Sequence, residues 1–301
     1  MVDIIVIGGG VAGMTSALYA LRQNKSVTLI EKNGIGGQVA EAPKVENFPT
    51  IKSISGAELA DRLFEQITLL GVNFEFGDVL SVEKNGEIFE VKTEFNVFEA
   101  KSVIIATGVE HRKLNLECEE KLIGHGISYC ALCDGAFYKG QDVVLVGDGN
   151  TALQYALLLA GYTKSVHIVT LFDRFFGDAS LVEALKTKPN IKITHNAKLV
   201  KVVGEDSLEG LLFEDKNKTQ FEIKTNGLFV AIGQVPNNEK FANLADLNKD
   251  GYFVANADLS TKTLGLFVAG DCREKSVRQL TTAASDGAIA ATSACNYLFS
   301  K

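Results

Sequence analysis

Two cysteines in the run Cys-Ala-Leu-Cys-Asp, Cys130 and Cys133, are the side chains of this sequence best suited to chemistry. Their spacing brings two sulfurs within bridging distance and permits a lowered thiolate pKa, as disulfide exchange requires. Asp134 follows directly and can relay a proton to a leaving thiolate. The competing chemistry is zinc binding. Zinc needs four ligands, there is no second C-x-x-C, and the nearby His111, Cys118 and His125 follow no recognised metal spacing. The expectation is a redox pair and no resident metal, with Cys118, Cys272 and Cys295 read as small apolar side chains.

A dithiol needs a source of electrons, and the sequence holds two cradles for one. Asp3 to Ile7 is a short apolar run followed by GGGVAG, a helical pattern from Met14 to about Gln23, and a second strand from Val27 to Ile30 ending at Glu31. In this strand-turn-helix-strand frame Gly8 makes the tight turn, Gly10 lets backbone approach a pyrophosphate, and Gly13 lets the helix pack on the strand. The helix N-terminus then offers free amides to phosphate, and Glu31 stands where a carboxylate accepts from ribose hydroxyls. The same grammar returns at Asp142 to Val146, then GDGNTA with Gly147, Gly149, Asn150 and Thr151, a helix from about Ala152 to Ala160, and a strand from Val166 to Val169.

The elements around these motifs predict an α/β fold with two Rossmann-like dinucleotide-binding domains, the second inserted into the first, in a three-layer ββα arrangement. SVIIATG ending at Gly108, GLFVAIG ending at Gly233 and GLFVAGD ending at Asp271 each read as a strand running into a glycine-containing loop that lets backbone approach a ligand. Pro236 punctuates the second junction, which places the outer domain at 1–110 and 237–301 and the inserted one at 111–236. An Ala/Gly-rich helix is expected from about Thr281, its N-terminus facing a ligand.

Composition narrows the partners. The 301 residues carry a formal charge of -7, which argues against nucleic acid, and no apolar run is long enough for a bilayer. The first residues read as a buried strand rather than a signal peptide, so a cytoplasmic protein is expected, and five cysteines in such a chain are not a disulfide framework.

Together these residues resemble the low-molecular-weight thioredoxin reductase family over essentially the whole chain. The resemblance is carried by GGGVAG, the Gly36-Gly37-Gln38 run, ENFP from Glu46 to Pro49, ATG at Ala106 to Gly108, CALCDG, GNTA, AIGQVPN from Ala231 to Asn237, and the GD…RQ tail. It implies one noncovalent FAD per subunit, held in the outer domain by Gly8, Gly10, Gly13, Glu31, Gly37, Gln38, Asn47, Gly108, Asp271, Arg278 and Gln279. It also implies that Cys133 faces the flavin, that Cys130 attacks the disulfide of thioredoxin, that Asp134 is the acid, and that the protein is a homodimer whose smaller domain swings.

One departure is large. The family's H-R-R-x-x-x-R, which binds NADPH, falls on Thr170, Leu171, Phe172 and Phe176, and its glutamate pair on Gln154 and Tyr155. Each charge-assisted bond to a phosphate contributes about 1.5–3 kcal/mol, so losing every one of them removes useful NADPH affinity. This resembles the branch in which reduced ferredoxin supplies the electrons. Arg174, Lys186, Lys188 and Lys192 are candidates for docking it, although the chain, like most ferredoxins, is acidic. Alternatives are an NADH-dependent enzyme with Thr170 or Asp173 on the adenosine ribose, a diflavin enzyme with a second FAD at Gly147 to Thr151, and a redox- or zinc-binding regulatory module without turnover. Phe172, Phe175 and Phe176 could stack on a ring or pack in a core.

Overall fold

The computed structural model describes residues 1–42 and 45–301. The chain forms two compact units, Met1–Glu110 with Val235–Lys301, and His111–Gln234. The return to the first unit falls at Val235, against residue 237 from the Pro236 punctuation.

In the first unit five parallel strands run in the order Asn73–Phe76, Val27–Glu31, Val2–Ile7, the end of Val97–Ile105, and Leu266–Val268. Val2–Ile7 lies mid-sheet and is covered on both faces, which is why it reads as a continuous apolar run; Ile4, Ile5 and Val6 are fully buried. Strand Val97–Ile105 belongs to two layers. Its first half pairs antiparallel with Ile88–Thr93, which pairs in turn with Val79–Asn85. Alternate residues of the parallel sheet then face two different cores. Ile4, Val6, Leu29 and Ile104 pack under helices Val11–Arg22, Gly56–Thr68 and Leu280–Phe299, whereas Ile5, Ile7, Val103 and Ile105 pack with Val82, Phe89 and Val91 of the antiparallel layer.

The Ala/Gly-rich C-terminal helix begins at Leu280, one residue before the sequence-based start, capped by Gln279 and Thr282. Its small residues have a packing reason. A Cβ on Gly287 would stand 2.3 Å from Ala12 O, and Ser16 Oγ donates to Gly287 O at 3.2 Å, so this helix and Val11–Arg22 meet almost backbone to backbone.

The second unit repeats the plan. Its parallel sheet runs Ile191–Thr194, Ser165–Val169, Asp142–Val146, Leu228–Val230, Ile127–Ser128. An antiparallel meander, Ala197–Val203, Gly210–Asp215 and Gln220–Lys224, packs Leu199, Val202, Leu211 and Phe213 against one face. Helix Asn150–Ala160 packs Ala152, Leu153, Ala156 and Leu159 against the other. Among the described residues no helix is long and apolar enough to cross a membrane.

Candidate active site

The turn after Val2–Ile7 is built as a dinucleotide cradle. Gly8 adopts φ 109°, and a Cβ there would lie 2.3 Å from Ala106 O. A Cβ on Gly13 would lie 1.8 Å from Gly8 O, so the helix can approach the strand only with glycine at this position. Gly10 caps the helix without a side-chain bond, and only Gly36 O, at 3.8 Å, comes near its virtual Cβ, which leaves the turn's open side accessible. Glu31 closes the second strand, where one oxygen accepts from Gly9 N at 2.6 Å and the other from Asn33 N at 2.8 Å. The carboxylate therefore fixes the glycine turn as well as standing where a ribose would lie.

The other expected cofactor residues of this unit converge on neighbouring loops. Gln38, just after Gly37, donates to Val109 O, immediately beyond Gly108. Asn47 Nδ2 donates to Gln279 Oε1 at 3.1 Å. Arg278 stacks its guanidinium on Tyr252, 4.3 Å from the ring centroid, and points Nε at Asp271 O. Asp271 is the informative group. Its Oδ1 is buried without a hydrogen-bond partner, with Lys275 Nζ 3.5 Å away, and burial pushes its carboxyl upward against the opposing Lys275 and Arg278 charges. A buried carboxylate oxygen left without a hydrogen bond is ready to meet a ligand hydroxyl. The glycine turn, the free helix amides and this oxygen together suit a dinucleotide with a polyol arm.

In the second unit Cys130 and Cys133 form a disulfide across a single helical turn, Ala131–Asp134, with Cα atoms 5.2 Å apart. Cys130 is the N-cap, and its Sγ accepts from Cys133 N at 3.1 Å, a bond that favours negative charge on that sulfur when the bridge opens. Cys133 is exposed and Cys130 half-buried. Asp134 is held by Ser128, whose Oγ donates to Oδ2 at 2.6 Å, while Oδ1 is buried without a partner. Burial pushes the Asp134 carboxyl up, and the Ser128 bond only partly opposes it. The arrangement is a disulfide beside a buried carboxyl whose proton affinity burial raises.

With this geometry in place, comparison with known proteins is decisive. A family model described as pyridine nucleotide-disulphide oxidoreductase matches residues 2–287. The chain is 38% identical over 298 residues to a thioredoxin reductase of Bacillus subtilis, covering 98% of this chain and 94% of that one. The chain belongs to the pyridine nucleotide-disulphide oxidoreductase family. Among solved structures, the thioredoxin reductase of Streptococcus pyogenes superposes with a TM-score of 0.96 at 35% identity, covering 100% of this chain and 99% of that one. A structure titled ferredoxin-flavin thioredoxin reductase, from Clostridium acetobutylicum, matches at 29% identity with a TM-score of 0.55, covering 99% and 98%.

The second cradle is intact, and the loop after Val169 is tied to it. Gly147 adopts φ 152° with a virtual Cβ 2.4 Å from Ala231 O, and the space beside Gly149 is open. Asn150 and Thr151 start the helix, and Asn150 Oδ1 accepts from Asp178 N at 2.7 Å, while Phe176 N donates to Asp148 O at 2.8 Å. These bonds tie the loop after Val169 to the glycine turn. On that loop Leu171, Phe172 and Phe176 are exposed. Phe172 and Phe176 stack edge to face at 5.1 Å, and Phe175 packs on His195. Thr170, expected as one possible ribose contact, is fully buried, and its hydroxyl is committed to Phe172 O and His195 Nδ1 at 2.7 Å each, so it cannot serve. Asp173 is exposed. Of the cations expected to dock ferredoxin, Lys186 is paired with Glu183 at 2.6 Å and Arg174 lies over the Phe176 ring.

Other expectations change as well. Cys118 is not a buried apolar side chain; it is exposed at φ 65°, unlike Cys272 and Cys295. Among the described residues no group of three His, Cys, Asp or Glu side chains is placed to hold a metal ion. Several supporting groups escaped sequence reasoning because their partners are distant in the chain. Asp286, fully inside the C-terminal helix, accepts from Arg273, Lys275 and Gly270 N; burial alone would raise its carboxyl, and the two cations outweigh this. Asn238, fully buried, donates to Gly251 O and Cys272 O next to Asp271. Its only sequence signal is its place just after AIGQVPN.

Proposed function

We propose that the protein is a flavin-dependent thioredoxin reductase that takes its electrons from reduced ferredoxin and passes them through Cys130–Cys133 to thioredoxin. FAD would be held by Gly8, Gly10, Gly13, Glu31, Gly37, Gln38, Asn47, Gly108, Asp271, Arg278 and Gln279; when bound it supplies the conversion of single electrons into the pair that a disulfide needs. The reduced dithiol then acts through the protein's own groups. Cys130, its thiolate favoured by the Cys133 amide, attacks one sulfur of the partner disulfide. Cys133 displaces the partner from the mixed disulfide, reforming the Cys130–Cys133 bridge and releasing a dithiol partner. Asp134 moves the proton that each opening of the bridge places on a sulfur.

The observation that carries the donor assignment is the exposed apolar trio on the loop after Val169, whose one cation, Arg174, lies over the Phe176 ring. Leu171, Phe172 and Phe176 offer no charge to a 2′-phosphate. The likeness to the ferredoxin-flavin enzyme supports the same reading. The test is anaerobic addition of NADPH, NADH or reduced ferredoxin to the purified holoenzyme, watching the flavin band. Bleaching by ferredoxin alone is expected; rapid bleaching by either pyridine nucleotide overturns the assignment.

A second reading rests on the intact turn at Gly147–Thr151, with open space beside Gly149. A second FAD there needs no phosphate-binding arginine, because its ADP half carries no 2′-phosphate. Acid release and a count of FAD per chain decide it.

A further inference from the structure

We infer that Ser128 is the positioning residue of the disulfide chemistry, a hydroxyl that joins the proton-carrying carboxyl of Asp134 to the backbone of Cys130. The inference rests on the reading of Asp134 as the acid. Ser128 ends strand Ile127–Ser128, which is pinned to the sheet by parallel pairing with Leu228–Phe229. Its side chain is buried, so its hydroxyl must find its partners inside the protein. Three groups lie around it. Cys130 N donates to Oγ at 3.1 Å. Asp134 Oδ2 lies 2.6 Å away and Cys130 O 3.4 Å away, both as acceptors. A hydroxyl has one proton, and the shorter, charge-assisted bond takes it. The polarity is therefore fixed: Cys130 N–H to Ser128 Oγ, then Ser128 O–H to Asp134.

This geometry has two consequences. The carboxyl is held with Oδ2 occupied by Ser128 and Oδ1 buried without a hydrogen-bond partner, so Oδ1 is the oxygen open to take up a proton. The proton affinity of Asp134 is also bounded from both sides. Burial favours the neutral form, and the Ser128 bond favours the carboxylate. Two phenols in turn feel the charge of this carboxyl. Tyr138, on the turn Gly135–Tyr138, and Tyr155, on helix Asn150–Ala160, are both held neutral by burial and by the Asp134 charge. Ser128 Oγ is the side-chain group that donates to Asp134 in this structure. When a bridge sulfur leaves, the proton passes from Asp134 to that sulfur, and the bond from Ser128 strengthens onto the new carboxylate.

The test compares Ser128→Ala, Ser128→Thr and Asp134→Asn in the FAD-loaded enzyme. One readout is the carboxylic C=O infrared band of Asp134, titrated in the oxidised protein and assigned by its loss in Asp134→Asn. This readout needs no electron donor. The second is the pH dependence of thioredoxin reduction. Ser128→Ala is expected to move the Asp134 titration midpoint up by about one pH unit, to move the alkaline fall of activity with it, and to slow turnover at neutral pH about tenfold. Ser128→Thr keeps the hydroxyl and should restore both. A Ser128→Ala enzyme with an unmoved midpoint and an unmoved pH profile overturns the inference, as does a slow Ser128→Ala enzyme that Ser128→Thr fails to rescue. If Asp134→Asn itself turns over normally, the acid assignment fails first, and the inference falls with it.

Discussion

Glu31 accepts the amide of Gly9 at 2.6 Å, so the carboxylate at the end of the second strand and the glycine turn at the end of the first are one device. The turn presents its remaining amides because Glu31 holds Gly9 in place. Replacing Glu31 with Ala removes an acceptor from Gly9 N and from Asn33 N together, besides any contact with ribose. A tenfold to hundredfold loss of FAD affinity is expected, corresponding to about 1.5–3 kcal/mol for a charge-assisted bond. Fluorescence titration of apoprotein with FAD measures it; unchanged affinity would place the nucleotide elsewhere.

Gly13→Ala should be far more damaging than its single methyl suggests. The added carbon would stand 1.8 Å from Gly8 O, and backbone cannot yield as a flexible side chain can. The expected cost is about 2 kcal/mol or more, with reduced FAD content, read by thermal melting and absorbance. Gly34→Ala is the control, because nothing lies within 4 Å of its virtual Cβ.

Asp134→Asn separates stability from activity. Burial raises the Asp134 carboxyl above its unfolded value of 3.8, so its contribution to stability is greatest at low pH and declines as pH rises through the folded pKa. Asparagine escapes that decline. The variant should melt higher than the native enzyme in alkaline buffer while losing about a hundredfold or more in thioredoxin reduction. A variant that melts lower at every pH would show that the carboxyl is a structural anchor.

Two histidines of the second unit set an acid limit. Burial holds His111 down to about 4, and burial together with Lys192 does the same for His167. Both pKa values are depressed from 6.5, so the stability they contribute is complete above pH 6.5 and lost as pH falls through about 4. For His111, which stacks on Tyr129 with centroids 5.1 Å apart, the loss is on the order of 2–3 kcal/mol. Urea melts between pH 7 and pH 4 should show a shallower decline in His111→Phe, which keeps the ring and removes the titration.

Features set by neighbours in sequence were legible, and those set by neighbours in space were not. The strand Asp142–Val146 matches its apolar run, and the first helix begins at Val11, three residues before the pattern suggested, because the end of GGGVAG, Val11 to Gly13, already forms the first turn of the helix. The cysteine pair and both fingerprints announce themselves by spacing. The clasp of Arg273 and Lys275 on Asp286 and the bond of Ser128 to Asp134 left no such mark, because serine and aspartate are ordinary surface residues until the fold buries them. Thr170 shows the converse. Its position in a familiar motif suggested a ligand contact, whereas its hydroxyl is needed inside the unit by Phe172 O and His195.

Counting electrons tests the central claim most directly. Anaerobic titration of the holoenzyme with dithionite should consume about four electrons per chain, two for one flavin and two for the Cys130–Cys133 bridge, and Cys133→Ser should consume about two. A native enzyme that saturates at two, or a Cys133→Ser variant that still takes four, would mean that the bridge does not exchange electrons with the flavin.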